Sequence, residues 1–243
     1  MNIKAVRRVA GILVLSSLIG TNLSAQTRND VIKVYNEGAK AMQSDISAAI
    51  EAFEQVIALA DKVGESADDL KQNAIKVLPG LYFKVAYNDL NDKKPAREVL
   101  QSARKAAEAG DKYGSASNKE NSEKIILQAY NTLATDYFSN NDLENAILTF
   151  DTLLAINPGY TTALYNKALI YIQQNNTVAF EETIDTYLEK LESGKDDERV
   201  KQASTMALEY FRVAGSRANQ AENLDEALAM LNKAAKYGDD KDL

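Results

Sequence analysis

The side chains that could carry chemistry in this sequence are carboxylates, lysines, tyrosines and hydroxyls, because its 243 residues include no His and no Cys. His is the commonest general base and metal ligand near neutral pH, and a Cys thiolate is a strong nucleophile and zinc ligand. Their absence excludes a Ser-His-Asp triad, a Cys nucleophile and an ordinary zinc site. We therefore predict a protein that is not an enzyme, with no catalytic residue, no metal and no cofactor. The enzymatic alternative is a glycosidase with two carboxylates about 5–9 Å apart.

The acidic clusters do not have the spacing of a metal site. A calcium-binding loop that starts at Asp89 requires Gly and Glu at the positions where the sequence has Lys94 and Leu100. Segments 195–199 and 238–243 are short acidic runs, typical of solvated turns and frayed segments. These clusters therefore indicate connections between other elements.

The first 25 residues have the pattern of a secretory signal peptide. Three cations (Lys4, Arg7 and Arg8) precede an apolar run over 9–20, and Ala25 follows another small residue. An N-terminal membrane anchor is the alternative, but the run is shorter than the ~20 apolar residues that cross a bilayer. We predict cleavage after Ala25, export to the periplasm, and one mature domain over 26–243 that does not span a membrane.

The charge of the chain argues against polyanionic partners. The formal net charge is −7 at pH 7, and removal of the cationic first 25 residues makes the mature chain more acidic. Such a chain is a poor partner for nucleic acid or for an anionic membrane surface. Without Cys, an exported protein has no disulfides, so packing must supply its stability.

The elements that would position any site are helices, because apolar residues recur with the helical period through most of the chain. Segment 140–160 shows this most clearly, and the same spacing returns at 222–238 and around Ile46. Each copy is a helix with a small residue near its middle, a polar turn, and a second helix with a small residue near its start. Because two antiparallel helices approach closely only at small side chains, each copy predicts a helix pair that must stack on its neighbours. The residues of this packing pattern are Gly38, Ala49, Phe53, Ala134, Ala146, Phe150, Pro158, Ala168, Gly215 and Ala227.

This pattern resembles the tetratricopeptide repeat family. The residues in register with that family's aromatic, Leu-Gly, Tyr, Ala, Phe and Pro positions are Tyr130, Leu133, Ala134, Tyr137, Ala146, Phe150 and Pro158. The resemblance implies an all-α, right-handed solenoid of about five stacked antiparallel helix pairs, some with elongated helices. The pairs are expected over roughly 29–62, 67–110, 122–158, 161–192 and 200–238.

The resemblance also implies where a ligand lies, because in this family the first helices of the pairs line a concave groove. The residues that it places at the groove are Tyr35, Asn36, Tyr82, Asn131, Tyr165, Asn166 and Arg212. Asn and Tyr suit an extended peptide, since they bond backbone amides and still offer apolar surface. The sequence therefore favours an exported bacterial scaffold that binds a protein or peptide partner in the cell envelope. The alternatives are a periplasmic glycan- or peptidoglycan-binding module and a self-assembling structural protein.

Several local features add to this prediction. Gly64, Gly114 and Gly238 follow runs typical of helix ends, so second helices should run long and the next first helices should begin early. Pro79 should kink or break its helix. Phe180 stands where the 34-residue repeat step requires a small residue, so the helices splay there or a few residues are inserted.

The last helix, 224–237, has an apolar face that predicts a homodimer.

Overall fold

The computed structural model describes residues 26–238, and every regular element in that range is helical. The signal peptide predicted over 1–25, with its cleavage at Ala25, lies outside the described residues. The helices are α1 (Arg28–Ala41), α2 (Ile46–Val63), α3 (Asp68–Asn91), α4 (Ala96–Lys112), α5 (Ala116–Ser139), α6 (Leu143–Ile156), α7 (Thr161–Gln173), α8 (Thr177–Ser193), α9 (Asp197–Gln220) and α10 (Leu224–Ala235), with a short 3-10 helix at Glu65–Ala67. The predicted all-α fold of five successive helix pairs is confirmed, and the hand of the stack stays a prediction.

The first helices of the pairs occur in two lengths. Helices α3, α5 and α9 each have 24 residues, whereas α1 and α7 have 14 and 13. The second helices α2, α4 and α8 have 17 or 18 residues. The extra residues of the long repeats therefore extend the second helix and, still more, the first helix of the next pair.

Glycines end two of the long second helices. Gly64 and Gly114 follow α2 and α4 with φ angles of 83° and 73°, a conformation that L side chains rarely adopt. Gly238, after α10, also has a positive φ angle, of 153°. The predicted helix ends at these glycines are confirmed.

Helix α3 continues through its proline. It runs without interruption from Asp68 to Asn91 and includes Pro79, so the helix does not break there, and a kink at Pro79 stays a prediction. A proline removes one backbone hydrogen bond from a helix. However, the neighbouring Leu78 and Leu81 are only 0% and 4% exposed, and both belong to the core between α2 and α3. Their burial holds the helix together across the missing bond.

Four connections share one turn design. A residue with a φ angle between 52° and 59° precedes an Asp or Asn whose side chain caps the following helix. The pairs are Asn141 with Asp142, Asn175 with Asn176, Lys195 with Asp196, and Glu222 with Asn223. In each, the cap oxygen accepts a backbone N–H three residues later, which satisfies one of the free donors at the helix start.

Small residues mark the closest approaches between helices. A Cβ on Gly38 would lie 3.1 Å from the Ala52 Cβ, and one on Gly215 would lie 3.0 Å from the Leu231 Cγ. In the third pair, Ala134 and Ala146 are both fully buried in one cluster. Of the other residues in the predicted packing pattern, Ala49, Phe53, Phe150, Ala168 and Ala227 are buried, whereas Pro158 is exposed in the turn before α7.

The structure accommodates Phe180 at the position where the repeat step requires a small residue. Its side chain is fully buried, and its ring centroid lies 4.3 Å from that of Tyr210 and 5.6 Å from that of Phe211. Both partners belong to α9. The Phe180 ring therefore fills the space between α8 and α9, the first helix of the next pair, with aromatic contacts.

The core is a series of four clusters that share helices. The first cluster draws on α1, α2 and α3, the second on α3, α4 and α5, the third on α5, α6 and α7, and the fourth on α7 to α10. Each pair is thus packed against its neighbours in the chain, as expected for stacked repeats.

Candidate functional site

A groove of about 610 Å³ lies between the first helices of the last two pairs. We call it the α7–α9 groove. Its lining residues are Ile172, Asn175, Thr177, Met206, Glu209, Tyr210, Val213, Ala214, Arg217, Ala218 and Glu226. Seven of them come from α9, so this helix decides the character of the groove.

Helix α9 supplies the groove because it has two apolar stripes. Ala203, Ala207 and Phe211 recur at helical spacing and are buried in the core. Met206 and Val213 follow a second stripe of the same period, which faces the groove. Met206 also packs against the core cluster shared by α7 to α10, whereas Val213 is 42% exposed, so Val213 is the part of this stripe that offers apolar surface.

The groove combines an apolar floor with charged edges. Val213 is 42% exposed, although the neighbouring Phe211 is fully buried. At one edge, Arg217 donates a hydrogen bond to the Asn175 side-chain oxygen at 3.2 Å. At another, Glu209 accepts a hydrogen bond from Arg212 at 2.9 Å. Apolar contact and polar groups of both signs are what a peptide segment requires of its binding surface.

Tyr210 is the one aromatic side chain in this lining, and its hydroxyl is buried. The hydroxyl oxygen has no hydrogen-bond partner among the described residues. Burial raises the pKa of the Tyr210 phenol, so the side chain is neutral. A buried hydroxyl without a partner costs roughly 1–3 kcal/mol. The floor of the groove is therefore less stable than its packing alone would make it.

Two of the predicted groove residues in the first two pairs, Tyr35 and Tyr82, have internal partners. The Tyr35 ring meets the Phe53 ring edge-on at 5.4 Å, and Asn36 is exposed on α1. The Tyr82 hydroxyl donates to Glu54 at 2.8 Å. Burial, together with this bond, raises the pKa of Tyr82.

The other predicted residues lie on α5, α7 and α9. Asn131 is half-buried, and its side-chain oxygen has no hydrogen-bond partner among the described residues. Tyr165 is 39% exposed with its ring 5.9 Å from that of Tyr187, and Asn166 beside it is half-buried. Arg212 bonds Glu209, an edge residue of the α7–α9 groove, but does not line the groove itself.

The seven predicted residues are distributed along the stack. They lie on five successive first helices, and none of them lines the α7–α9 groove. Their role in binding stays a prediction. The missed residues Met206, Val213 and Arg217 could have been found from the sequence, because they continue one face of α9 at intervals of seven and four residues.

A second depression, of about 500 Å³, lies among α2, α3 and α4. Its floor includes Tyr82, and its acidic residues are Glu51, Glu54, Asp89 and Glu98. Asp89 is buried and pairs with Lys94 at 2.6 Å. Among residues 26–238, no group of three or more metal-ligating side chains could hold an ion.

Carboxyl groups with a lowered pKa are found at three helix starts. Hydrogen bonds lower the pKa of Asp30 and Glu120, from Thr27 and Lys124 respectively. A hydrogen bond from Arg28 lowers the pKa of Asp69 to about 2. A glycosidase acid needs the opposite shift, because it must hold its proton at the working pH. The shift of these three carboxyl groups is therefore not that of a glycosidase acid.

None of the helices within residues 26–238 is both long and apolar enough to cross a membrane.

Comparison with known proteins gives matches among solved structures alone. No family model and no curated protein matches the chain. The MamA protein is 17% identical, with 86% of this chain and 92% of that chain covered and a TM-score of 0.31. Kinesin light chain TPR-like repeats from Podosopora anserina are 14% identical, with 85% and 97% covered and a TM-score of 0.32. A tetratricopeptide repeat protein from Parabacteroides merdae is 17% identical, with 86% and 80% covered and a TM-score of 0.28.

Because their TM-scores are near 0.3, these structures do not indicate a partner or a site for this chain. The similarity of the chain to tetratricopeptide repeat proteins rests on its own pattern. That pattern consists of paired helices with small residues at their crossings, aromatic residues beside the crossings, and a stack of shared cores.

Proposed function

We propose that this protein is an exported, non-catalytic scaffold of the bacterial cell envelope that binds a segment of another protein in the α7–α9 groove. The observation that carries the proposal is the second apolar stripe of α9. It leaves Val213 42% exposed in a groove whose other apolar residues are half-buried or buried. An occupant that covers Val213 and Met206 removes apolar surface from water, which stabilises the complex.

The edges of the groove indicate what the occupant offers besides apolar side chains. Glu209 and Glu226 carry negative charge, and Arg217 carries positive charge. An extended peptide backbone presents both N–H donors and C=O acceptors, so it can bond edges of both kinds. We therefore expect a short peptide segment with at least one apolar side chain directed at Val213.

The pattern of the first 25 residues supports export. Cleavage after Ala25 leaves Gln26 as the first residue of the mature protein. N-terminal sequencing of the protein recovered from the periplasmic fraction tests this expectation. A protein that keeps residues 1–25 and stays in the cytoplasmic fraction would contradict export.

In-cell crosslinking followed by mass spectrometry tests the groove. Val213→Asp places a charge on the groove floor and should abolish capture of the partner. Val178→Asp is the matched control, because Val178 is 69% exposed on α8 and does not line the groove. Circular dichroism should give the same helix content for both variants and the wild type.

The outcomes separate the binding surfaces. Capture by the wild type and by Val178→Asp, with loss in Val213→Asp, supports the α7–α9 groove. Equal capture by all three proteins refutes it. In that case, a variant with Tyr165, Asn166 and Arg212 all changed to Ala tests the residues expected from the family resemblance.

Glycan binding has weaker support, because many tyrosines are engaged inside the protein. Arg97 and Arg104 of α4 lie over the rings of Tyr137 and Tyr130 of α5, at 6.0 and 5.7 Å. Tyr87 is among the more exposed rings, at 50%. A calorimetric titration with peptidoglycan fragments that releases or absorbs heat would favour this alternative over a peptide partner.

A further inference from the structure

The last helix of the stack has an apolar stripe that the described helices leave largely exposed. On α10, Leu224, Leu228 and Leu231 are 66%, 61% and 47% exposed, and one side of Leu231 lies against Gly215 of α9. They are four and three residues apart, so they share one face of the helix. We call them the leucine stripe. Ala227 and Met230 lie on another face of α10 and are buried.

The repeat shows what these positions do elsewhere in the chain. Leu224 and Leu228 stand where the third pair has Leu143 and Ile147. Those two side chains pack on the cluster that α6 shares with α7, the first helix of the next pair. Leu224 and Leu228 therefore form a stacking surface, and α10 is the last of the helices over 26–238, so no later described helix stacks on it.

The opposite end of the stack does not match the leucine stripe. The outer face of α1 carries Asn29, Lys33, Asn36 and Lys40, at intervals of four, three and four residues, and all four are exposed. A head-to-tail contact between copies would press leucines against this polar stripe and would remove two Lys side chains from water, which is unfavourable. The apolar surface that fits a leucine stripe is another leucine stripe.

The dipole of α10 indicates how two stripes pair. Lys233 in its last turn and Lys236 directly after the helix already pair with Glu181 and Asp185 of α8, at 2.6 and 2.5 Å, so the side chains at this end are neutralised within the chain. An antiparallel arrangement opposes the two helix dipoles. Two-fold symmetric pairs of this kind are the commonest form of protein oligomer.

We infer that two copies of this chain associate through α10, with their leucine stripes packed antiparallel about a two-fold axis at Leu228. This inference goes beyond the proposed function and does not depend on the α7–α9 groove. Three leucines per copy make a small interface, so the dimer is a weak one that forms at high protein concentration.

Sedimentation velocity and light scattering on the purified protein, over a micromolar to millimolar series, test the inference. The wild type should double its mass across the series, and Leu228→Glu should remain a monomer. Leu148→Glu is the matched control, because Leu148 is 56% exposed on α6, and it should dimerise as the wild type does. A wild type that stays monomeric, or a Leu228→Glu variant that dimerises equally, overturns the inference.

A single cysteine tests the geometry, since the sequence has no Cys of its own. Because the two-fold axis passes near Leu228, Leu228→Cys should form an intermolecular disulfide under mild oxidation. Leu148→Cys should not. A dimer whose Leu228→Cys variant stays uncrosslinked, or in which both variants crosslink equally, contradicts the antiparallel pairing.

Discussion

The glycines of two long helices allow a direct test of how closely α4 and α5 pack. Gly110 lies near the end of α4, and a Cβ added to it would lie 2.7 Å from the Lys119 backbone nitrogen and 2.9 Å from its Cα. A backbone cannot move aside as a flexible side chain does. Gly80 lies inside α3, and a Cβ on it would meet nothing within 4 Å. We therefore compare Gly110→Ala with Gly80→Ala.

The two substitutions share one energy term and differ in another. Replacing Gly by Ala inside a helix contributes about 1 kcal/mol of helix propensity in both variants. Only Gly110→Ala also forces α4 and α5 apart, and such overpacking costs about 1–3 kcal/mol. Gly80→Ala should therefore be more stable than the wild type by about 1 kcal/mol. Gly110→Ala should be less stable than Gly80→Ala by about 1–3 kcal/mol.

Urea unfolding followed by circular dichroism measures the free energy of unfolding of both variants and the wild type. For a protein of this size, each kcal/mol also shifts Tm by about 2–4 °C. Equal stabilisation by the two substitutions would refute the close approach of Gly110 to the α5 backbone. The packing of α4 on α5 would then be looser than the structure shows.

Further predictions concern a buried hydroxyl, a turn and an ion pair. Tyr210→Phe should not lower the free energy of unfolding, because the Tyr210 hydroxyl has no hydrogen-bond partner among the described residues. Tyr82→Phe should lower the free energy of unfolding by about 1 kcal/mol, because it removes the hydrogen bond to Glu54. A lower stability of Tyr210→Phe in urea unfolding would contradict this reasoning. Glu222→Gly should raise Tm, since a φ angle of 59° at this position costs a side chain about 0.5–1 kcal/mol relative to Gly; a fall in Tm by calorimetry would show that the Glu side chain has a stabilising contact. The Asp69 carboxyl should titrate near pH 2 by NMR, and near its ordinary value of 3.8 in Arg28→Ala. Because its pKa is lowered in the folded state, the stabilisation from this pair is present above the ordinary pKa and is lost as the pH falls through about 2. An unchanged Asp69 pKa in Arg28→Ala would mean that Arg28 is not the cause.

The repeat made most of the fold predictable. Small residues such as Ala134 and Ala146 recur at intervals that only paired, stacked helices explain, and the glycines after α2 and α4 mark helix ends by their chemistry. Of the kink or break expected at Pro79, the break does not occur, because local propensity ignores the buried leucines on either side of the proline. The close contact at Gly110 was not predictable, because its neighbour Lys119 lies in an extension of α5 that the bare repeat does not contain.

The candidate site was less predictable for a similar reason. Sequence reasoning placed groove residues at fixed offsets from the small central residue of each first helix. In α9, the groove is instead lined by a stripe from Met206 to Arg217 that runs along the helix. Which face of a first helix stays uncovered depends on how the neighbouring pairs pack, and the aromatic packing of Phe180 against α9 has no counterpart in the family pattern.

The series of shared cores determines how the molecule responds to force. The first and fourth core clusters share no side chain. Tension applied at the two ends of the stack is therefore resisted only by the contacts between neighbouring helix pairs. Stretched in an optical trap, the protein should lengthen in several small steps and not in one rupture. Each step should correspond to one helix pair that leaves an otherwise intact stack, so the chain should extend gradually under load.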